Sequence, residues 1–204
     1  TYGEYRVGDI KYQDINGDGV IDSQDEVALG YTNMPEIIYG FGATAQWKNW
    51  DFNVFFQGVA HTSFFLAGAS LRSPFSSGSM ERSAVNEDIY GNVWMSTNTP
   101  EQNARAIYPR LSLSNQAGSS NNNQTSDWWM RDGSFIRLKN LEIGYTLPKK
   151  LLGKNFIRSL RFYVAANNLM TFSSFKLWDP EKGSSDGSGY PLNRVITLGF
   201  NINL

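Results

Sequence analysis

The clearest pattern in the chain is the alternation of apolar and polar positions at its end. In RVITLGFNINL, Ile196, Leu198, Phe200, Ile202 and Leu204 point one way, and Val195, Thr197, Gly199, Asn201 and Asn203 point the other. A period of two predicts a β-strand with one apolar and one largely polar face. The same pattern recurs upstream. In IIYGFGATAQW, Ile37, Tyr39, Phe41, Ala43, Ala45 and Trp47 share a face. In DFNVFFQGV, Phe52, Val54 and Phe56 oppose Asp51, Asn53 and Gln57. The turn at Lys48-Asn49 makes these two a hairpin. A third strand ends in LEIGYTLP, where Leu141, Ile143, Tyr145 and Leu147 alternate with Asn140, Glu142, Gly144 and Thr146 until Pro148 stops it. A fourth, LRFYVAA, loses its alternation at Asn167-Asn168.

The connections alternate in length. The first and second strands are joined by a few residues, and the third and fourth by the basic KKLLGKNFIRS. The second and third are separated by 61–134, and the fourth and fifth by 172–193 with its EKGSSDGSG tract. Short turns on one side and long loops on the other are the habit of an outer-membrane barrel. With the last strand running inward, the short turns and the C-terminus fall in the periplasm and the long loops outside. Trp47, Trp50 and Tyr145 then form an aromatic girdle at the periplasmic interface. The fold class expected is all-β, an antiparallel transmembrane β-barrel segment. The competing reading is a soluble antiparallel sheet with one buried face.

Composition narrows the choice. Lys and Arg number 18 against 19 Asp and Glu, a formal charge of −1, so no basic excess exists to neutralise nucleic-acid phosphates. There is no Cys, and His61 is the single histidine, with no evident partner. That excludes a disulfide framework, a thiol nucleophile or a multi-histidine metal site. No apolar run reaches the ~18 residues of a membrane helix, which leaves membrane-spanning strands untouched. The chain begins at Thr1 rather than Met and reads as a processed or truncated piece.

Ahead of the first strand stands DINGDGVIDSQD, spaced like a calcium loop. Asp14, Asn16 and Asp18 take positions 1, 3 and 5, Gly19 the sharp turn, Val20 the carbonyl position, Asp22 position 9 and Asp25 position 12. These are the hard oxygen donors that Ca2+ requires. Asp25 replaces the usual Glu and is one methylene shorter, so the loop must close more tightly. Strand-like or irregular flanks, GDIKY and VALGY, make the expected role structural rather than sensory.

GDIKYQDINGDGVIDSQDEVALG, MRDGSFIRLKNLEIGYTLPKKLL, LRFYVAANNLMTF and YPLNRVITLGFNINL, in that order, resemble the C-terminal end of SusC-like (RagA-like) TonB-dependent outer-membrane transporters. The resemblance covers nearly the whole chain and is weakest over 61–126. It implies about the last five strands of a 22-stranded barrel, with the plug and N-terminal barrel lying elsewhere. It implies a SusD-like lipoprotein lid, the TonB complex, the remaining barrel and outer-membrane lipid as partners. It also implies import of oligosaccharides or peptides. On this reading 1–36 is an extracellular loop with the calcium motif, rigidified where the lid docks, and 37–204 are barrel strands with external loops. Many outer-membrane proteins end in an aromatic residue, whereas this chain ends in Leu204.

Other aromatic and charged positions have structural as well as functional roles open to them. Tyr90, Trp94, Tyr108 and Trp178 fall in the long loops and are candidate substrate-binding aromatics, or fillers of small loop cores. Trp128-Trp129 reads as packing at the barrel rim. GSSNNNQTS reads as a mobile loop tip, and Lys149, Lys150, Lys154 and Arg158 as a solvated turn. No catalytic constellation stands out, so no enzyme is expected. The alternative function is a soluble calcium-dependent carbohydrate-binding β-sandwich, in which apolar faces would meet in one core.

Overall fold

The computed structural model describes residues 2–66, 87, 89–111, 121–153 and 156–204. Its strands are β1 (Ile37–Trp47), β2 (Trp50–Ala60), β3 (Ser63–Phe65), β4 (Met130–Asp132), β5 (Phe135–Thr146), β6 (Ser159–Ser173) and β7 (Val195–Asn203). Five of them form one antiparallel sheet in the order β1-β2-β5-β6-β7, and β3 pairs with β4. The chain divides into two compact units, residues 1–30 with 65–131, and residues 31–64 with 132–204. The second holds the five-stranded sheet. The calcium-type segment groups with 65–131.

Cross-strand partners share a face, so the register shows what each face is made of. One row runs Trp47, Trp50, Tyr145, Phe162, Phe200, and the next Ala45, Phe52, Ile143, Val164, Leu198. A third runs Ala43, Val54, Leu141, Ala166, Ile196. The opposite face carries Thr44, Asn53, Glu142 and Thr197, with Gln46, Asp51 and Asn140 nearby. The apolar face has no layer over it among the described residues. Leu198 is 78% exposed and Phe200 and Ile196 are each 62% exposed. Each large apolar side chain left in water forfeits roughly 1.5–3 kcal/mol. Half-exposure of eight or so such side chains therefore approaches the ~5–15 kcal/mol net stability of a whole domain. Among the described residues the sheet is a wall with one bare apolar side, the make-up of a membrane-spanning sheet. Among those residues no second sheet meets that apolar face, which is not the arrangement of a soluble sandwich.

The short connections fall at one end. Lys48-Asn49 joins Trp47 to its partner Trp50, with Lys48 at φ 55, the left-handed conformation a two-residue hairpin demands. Lys48 Nζ sits 4.7 Å from the Trp47 ring, and Trp50 packs on Tyr145 at 4.8 Å. The connection from Leu147 to Arg158, with its one-turn helix Lys149–Leu152, lies at the same end, where Ser159 pairs with Asn203. Lys154 of the basic turn lies outside the described residues. The long connections start from the other end, beyond Ala60 and beyond Ser173.

β5 and β6 run further than the sequence pattern showed, and the reason is a pair of irregularities. Lys139 has no register partner, and neither do Asn168 and Leu169 opposite it. Asn168 sits at φ 53. One extra residue in β5 reverses its parity: Ile136 and Leu138 join Leu141 on the apolar face, and Arg137 turns to the polar face. Without it, Phe135, Arg137 and Lys139 would follow Leu141 toward lipid. Leu147, expected in the third strand, lies just past it; its N–H still bonds Leu160 O at 2.8 Å.

Deleting Lys139 from the full-length receptor should turn Arg137 into the apolar face at ~2–4 kcal/mol for a cation at mid-depth. The deletion is expected to abolish the heat-resistant barrel band on gels, while Lys139→Ala keeps it.

Candidate functional site

The calcium-type loop is organised by its own backbone. Asp14 accepts the N–H groups of Gly17 at 2.6 Å and Gly19 at 2.8 Å. Asp18 accepts Val20 N–H at 2.7 Å, and Asn16 Oδ1 accepts Asp18 N–H at 2.9 Å. Asp22 caps the 3-10 turn Ser23–Asp25, accepting Gln24 N–H at 2.8 Å. Asp25 reaches back to Asp22 N–H at 2.9 Å and also accepts Ile15 N–H at 2.8 Å. The shorter acid at position 12 thus closes a capping box. The donor set suits calcium chemically: five carboxylate or amide side chains and the Val20 carbonyl within twelve positions. The arrangement differs from a formed cage, since no group of three or more His, Cys, Asp or Glu able to hold a metal occurs among the described residues.

The N–H groups of Asp22 and Ile15 hold the Asp25 carboxyl below the usual carboxylate range. A depressed value means that this stabilisation is present at neutral pH, starts to fade near the unfolded value of about 3.9, and is lost as pH falls through the folded one. Protection of the Ile15 amide, read as its exchange rate relative to an unstructured chain at the same pH, should therefore fall under acid, and Asp25→Asn should remove that dependence.

Just before this loop, a buried polar knot ties the segment down. Asn122, fully buried, accepts Ile10 N–H at 2.9 Å and donates to Asp9 Oδ1 at 2.8 Å and to Arg110 O at 3.2 Å. Its own carbonyl takes the indole N–H of the buried Trp129 at 2.9 Å. Asn121 donates to Ile10 O at 2.7 Å and accepts Tyr12 O–H at the same distance. Arg110 pairs with Asp9 at 2.9 Å. The expected mobile tip GSSNNNQTS is corrected here: Asn121 and Asn122 are core, because amides can satisfy backbone groups that apolar side chains cannot. Residues 118–120 lie outside the described residues. Trp129 is fully buried in the core of its own unit rather than shown at a barrel rim, and Trp128 is 36% exposed.

The four candidate aromatics separate. Tyr90 is 80% exposed. Trp94 is half-buried against Gly8 and lines a shallow groove of about 610 Å³ with Arg6, Val7 and Arg110. Tyr108 is buried, so its ring is not offered to a ligand. Trp178 packs edge-on to Phe175 at 4.9 Å. His61, expected without a partner, stacks on Tyr31 at 4.3 Å and meets Glu36 at 3.4 Å.

The sheet's polar face holds a charge cluster the sequence pattern did not single out. Arg161 on β6 bonds Glu142 on β5 at 2.6 Å and grips both oxygens of Asp51 on β2, one through Nε at 3.0 Å. Asp51 and Arg161 meet across β5 because Gly144 lies between them; a Cβ there would collide with both. The signal available in sequence was charge at inward-parity positions of neighbouring strands.

No family model matches the chain. It is 33% identical over 210 residues to the "TonB-dependent receptor P26" of Formosa agariphila, covering 96% of this chain and 20% of that protein. It is 25% identical over 194 residues to the "TonB-dependent receptor SusC" of Bacteroides thetaiotaomicron, covering 94% of this chain and 17% of that protein. The solved RagAB peptide importer in its closed-closed state has the same fold over 98% of this chain and 21% of its own, at TM-score 0.66 and 23% identity. The chain is a segment of a SusC-like TonB-dependent receptor. It spans about a fifth of the length of these relatives, which are receptors and importers rather than enzymes. In this SusC-like chain the five-stranded antiparallel sheet, with one apolar and one polar face, has the make-up of a stretch of barrel wall.

Asn122→Ala would orphan the Ile10 N–H, at about 1–3 kcal/mol for each buried group left unpaired. Exchange at the Ile10 amide should accelerate strongly, with β6 and β7 amides unchanged.

Proposed function

We propose that this chain supplies five adjacent wall strands, near the C-terminus, of a TonB-dependent outer-membrane importer of oligosaccharides or peptides that works with a SusD-like lipoprotein. The observation that carries the reading is the uncovered apolar face of the sheet, backed by a polar face fit for a water-filled or plugged lumen. The alternation of short and long connections supports periplasmic turns, with Trp47, Trp50 and Tyr145 at that interface, and extracellular loops. The receptors named above support energised import. Deleting the gene for the full-length receptor should abolish growth on either a complex-glycan or a peptide mixture as sole carbon source. Disrupting the TonB complex should do the same. Unimpaired growth on both would contradict the reading.

The segment Asp14–Asp25 is proposed to take Ca2+ as a structural ion. The spacing of Asp14, Asn16, Asp18, Val20, Asp22 and Asp25 supports this. Binding would draw the carboxylates of Asp14, Asp18 and Asp25 together, with the ion offsetting their repulsion. Chelation of the full-length receptor should raise amide exchange across 14–25, and Ca2+ but not Mg2+ should reverse it. Exchange indifferent to chelation would remove the calcium claim.

A further inference from the structure

The polar face of β5 carries a guanidinium that should be wet and is not. Arg137 is 2% exposed, although its partners Gln57 and Thr171 place it on the lumenal face. A buried charge persists only when paired. Its cover is the connection between β6 and β7. Asp179 caps the 3-10 turn Pro180–Lys182, accepting Glu181 N–H at 3.0 Å, and the same oxygen takes an Arg137 N–H at 2.5 Å. Glu181 lies 3.3 Å from Arg137 Nε and 3.6 Å from Lys139 Nζ. Two cations from the wall meet two anions from the loop, so the cluster is neutral. The β5 irregularity is what turns both cations inward.

The loop is built rather than slack. Phe175 is buried against Phe64 at 5.0 Å and Trp178 at 4.9 Å. Lys182 Nζ donates to Gly189 O at 2.9 Å and Gly187 O at 3.4 Å, closing the Gly/Ser tract on itself. The Trp178 indole lies where a Cβ on Gly187 would sit, at 2.9 Å. Compact loops packed by their own side chains hold a fixed shape. A loop pinned to the inner wall takes volume from the lumen, whereas one projecting from the rim does not.

We propose that the β6–β7 connection is an inward-folded strap that narrows the solute path through the barrel, and that Arg137 is the residue holding it there. The claim rests on the barrel reading above and adds a determinant of which solutes pass.

The test uses the full-length receptor in outer-membrane vesicles with a single cysteine at Asn53→Cys, an exposed position on the polar face. Labelling is read with N-ethylmaleimide and with a kilodalton-range maleimide-polyethylene glycol. With the strap in place, the small reagent should react and the large one should not. Arg137→Gln, and separately Asp179→Asn with Glu181→Gln, should speed the large reagent about tenfold, as loss of a buried pair shifts the pinned state. Heat-modifiable gel mobility identifies variants whose barrel is intact. An unchanged size cut-off in both intact variants overturns the strap. Leu198→Cys, outward-facing, distinguishes the underlying reading: equal labelling at 53 and 198 would overturn the barrel assignment itself.

Discussion

Backbone hydrogen bonding in a medium without water governs everything else here. In hydrocarbon an unpaired N–H or C=O costs several kcal/mol, so strands that cross it must be paired along their whole length. β2, β5 and β6 are paired on both sides across nine or more residues, and the register passes through its irregular point without losing the sheet. β1 and β7 are edges. In a barrel wall such edges continue into further strands, in keeping with a chain that spans a fifth of its relatives.

The same constraint divides the chemistry by face. Side chains outward must be apolar, so charge collects inward, where the wall can be wet. Asp51, Glu142 and Arg161 link three strands near the short-connection end. Arg137 and Lys139 bind the β6–β7 loop nearer the other end. Gly144 serves the first cluster by being absent as a side chain, and the irregularity at Lys139 serves the second by changing parity. In the unit of residues 1–30 and 65–131, buried polar groups are paired. Its core mixes Ile10, Leu66, Ile89 and Trp129 with Asn121 and Asn122, whose amides satisfy the irregular backbone around them.

The strands were legible because period two is a local signal. β1 matched its expected bounds residue for residue, and β7 was plain. β5 and β6 were only half legible. Arg137 and Lys139 interrupt the pattern upstream of Leu141, and Asn167-Asn168 interrupts its partner; one change of register explains both, but register belongs to a pair of strands. The calcium-type spacing was legible, while the backbone bonds that fold its acids onto themselves were not. Asn121 and Asn122 were misread because composition cannot tell a buried amide from a solvated one. Arg137, Asp51 and Arg161 were missed because their partners lie 42 and 110 residues away.

The rest stands on the division of this sheet into a face that meets lipid and a face that does not. Its most direct test is collisional quenching by brominated acyl chains in the reconstituted full-length receptor, with a fluorescent reporter placed in turn at 197 and 198. Strong quenching is expected at 198 and little at 197. Equal quenching at the two positions, or the reverse order, would contradict that division.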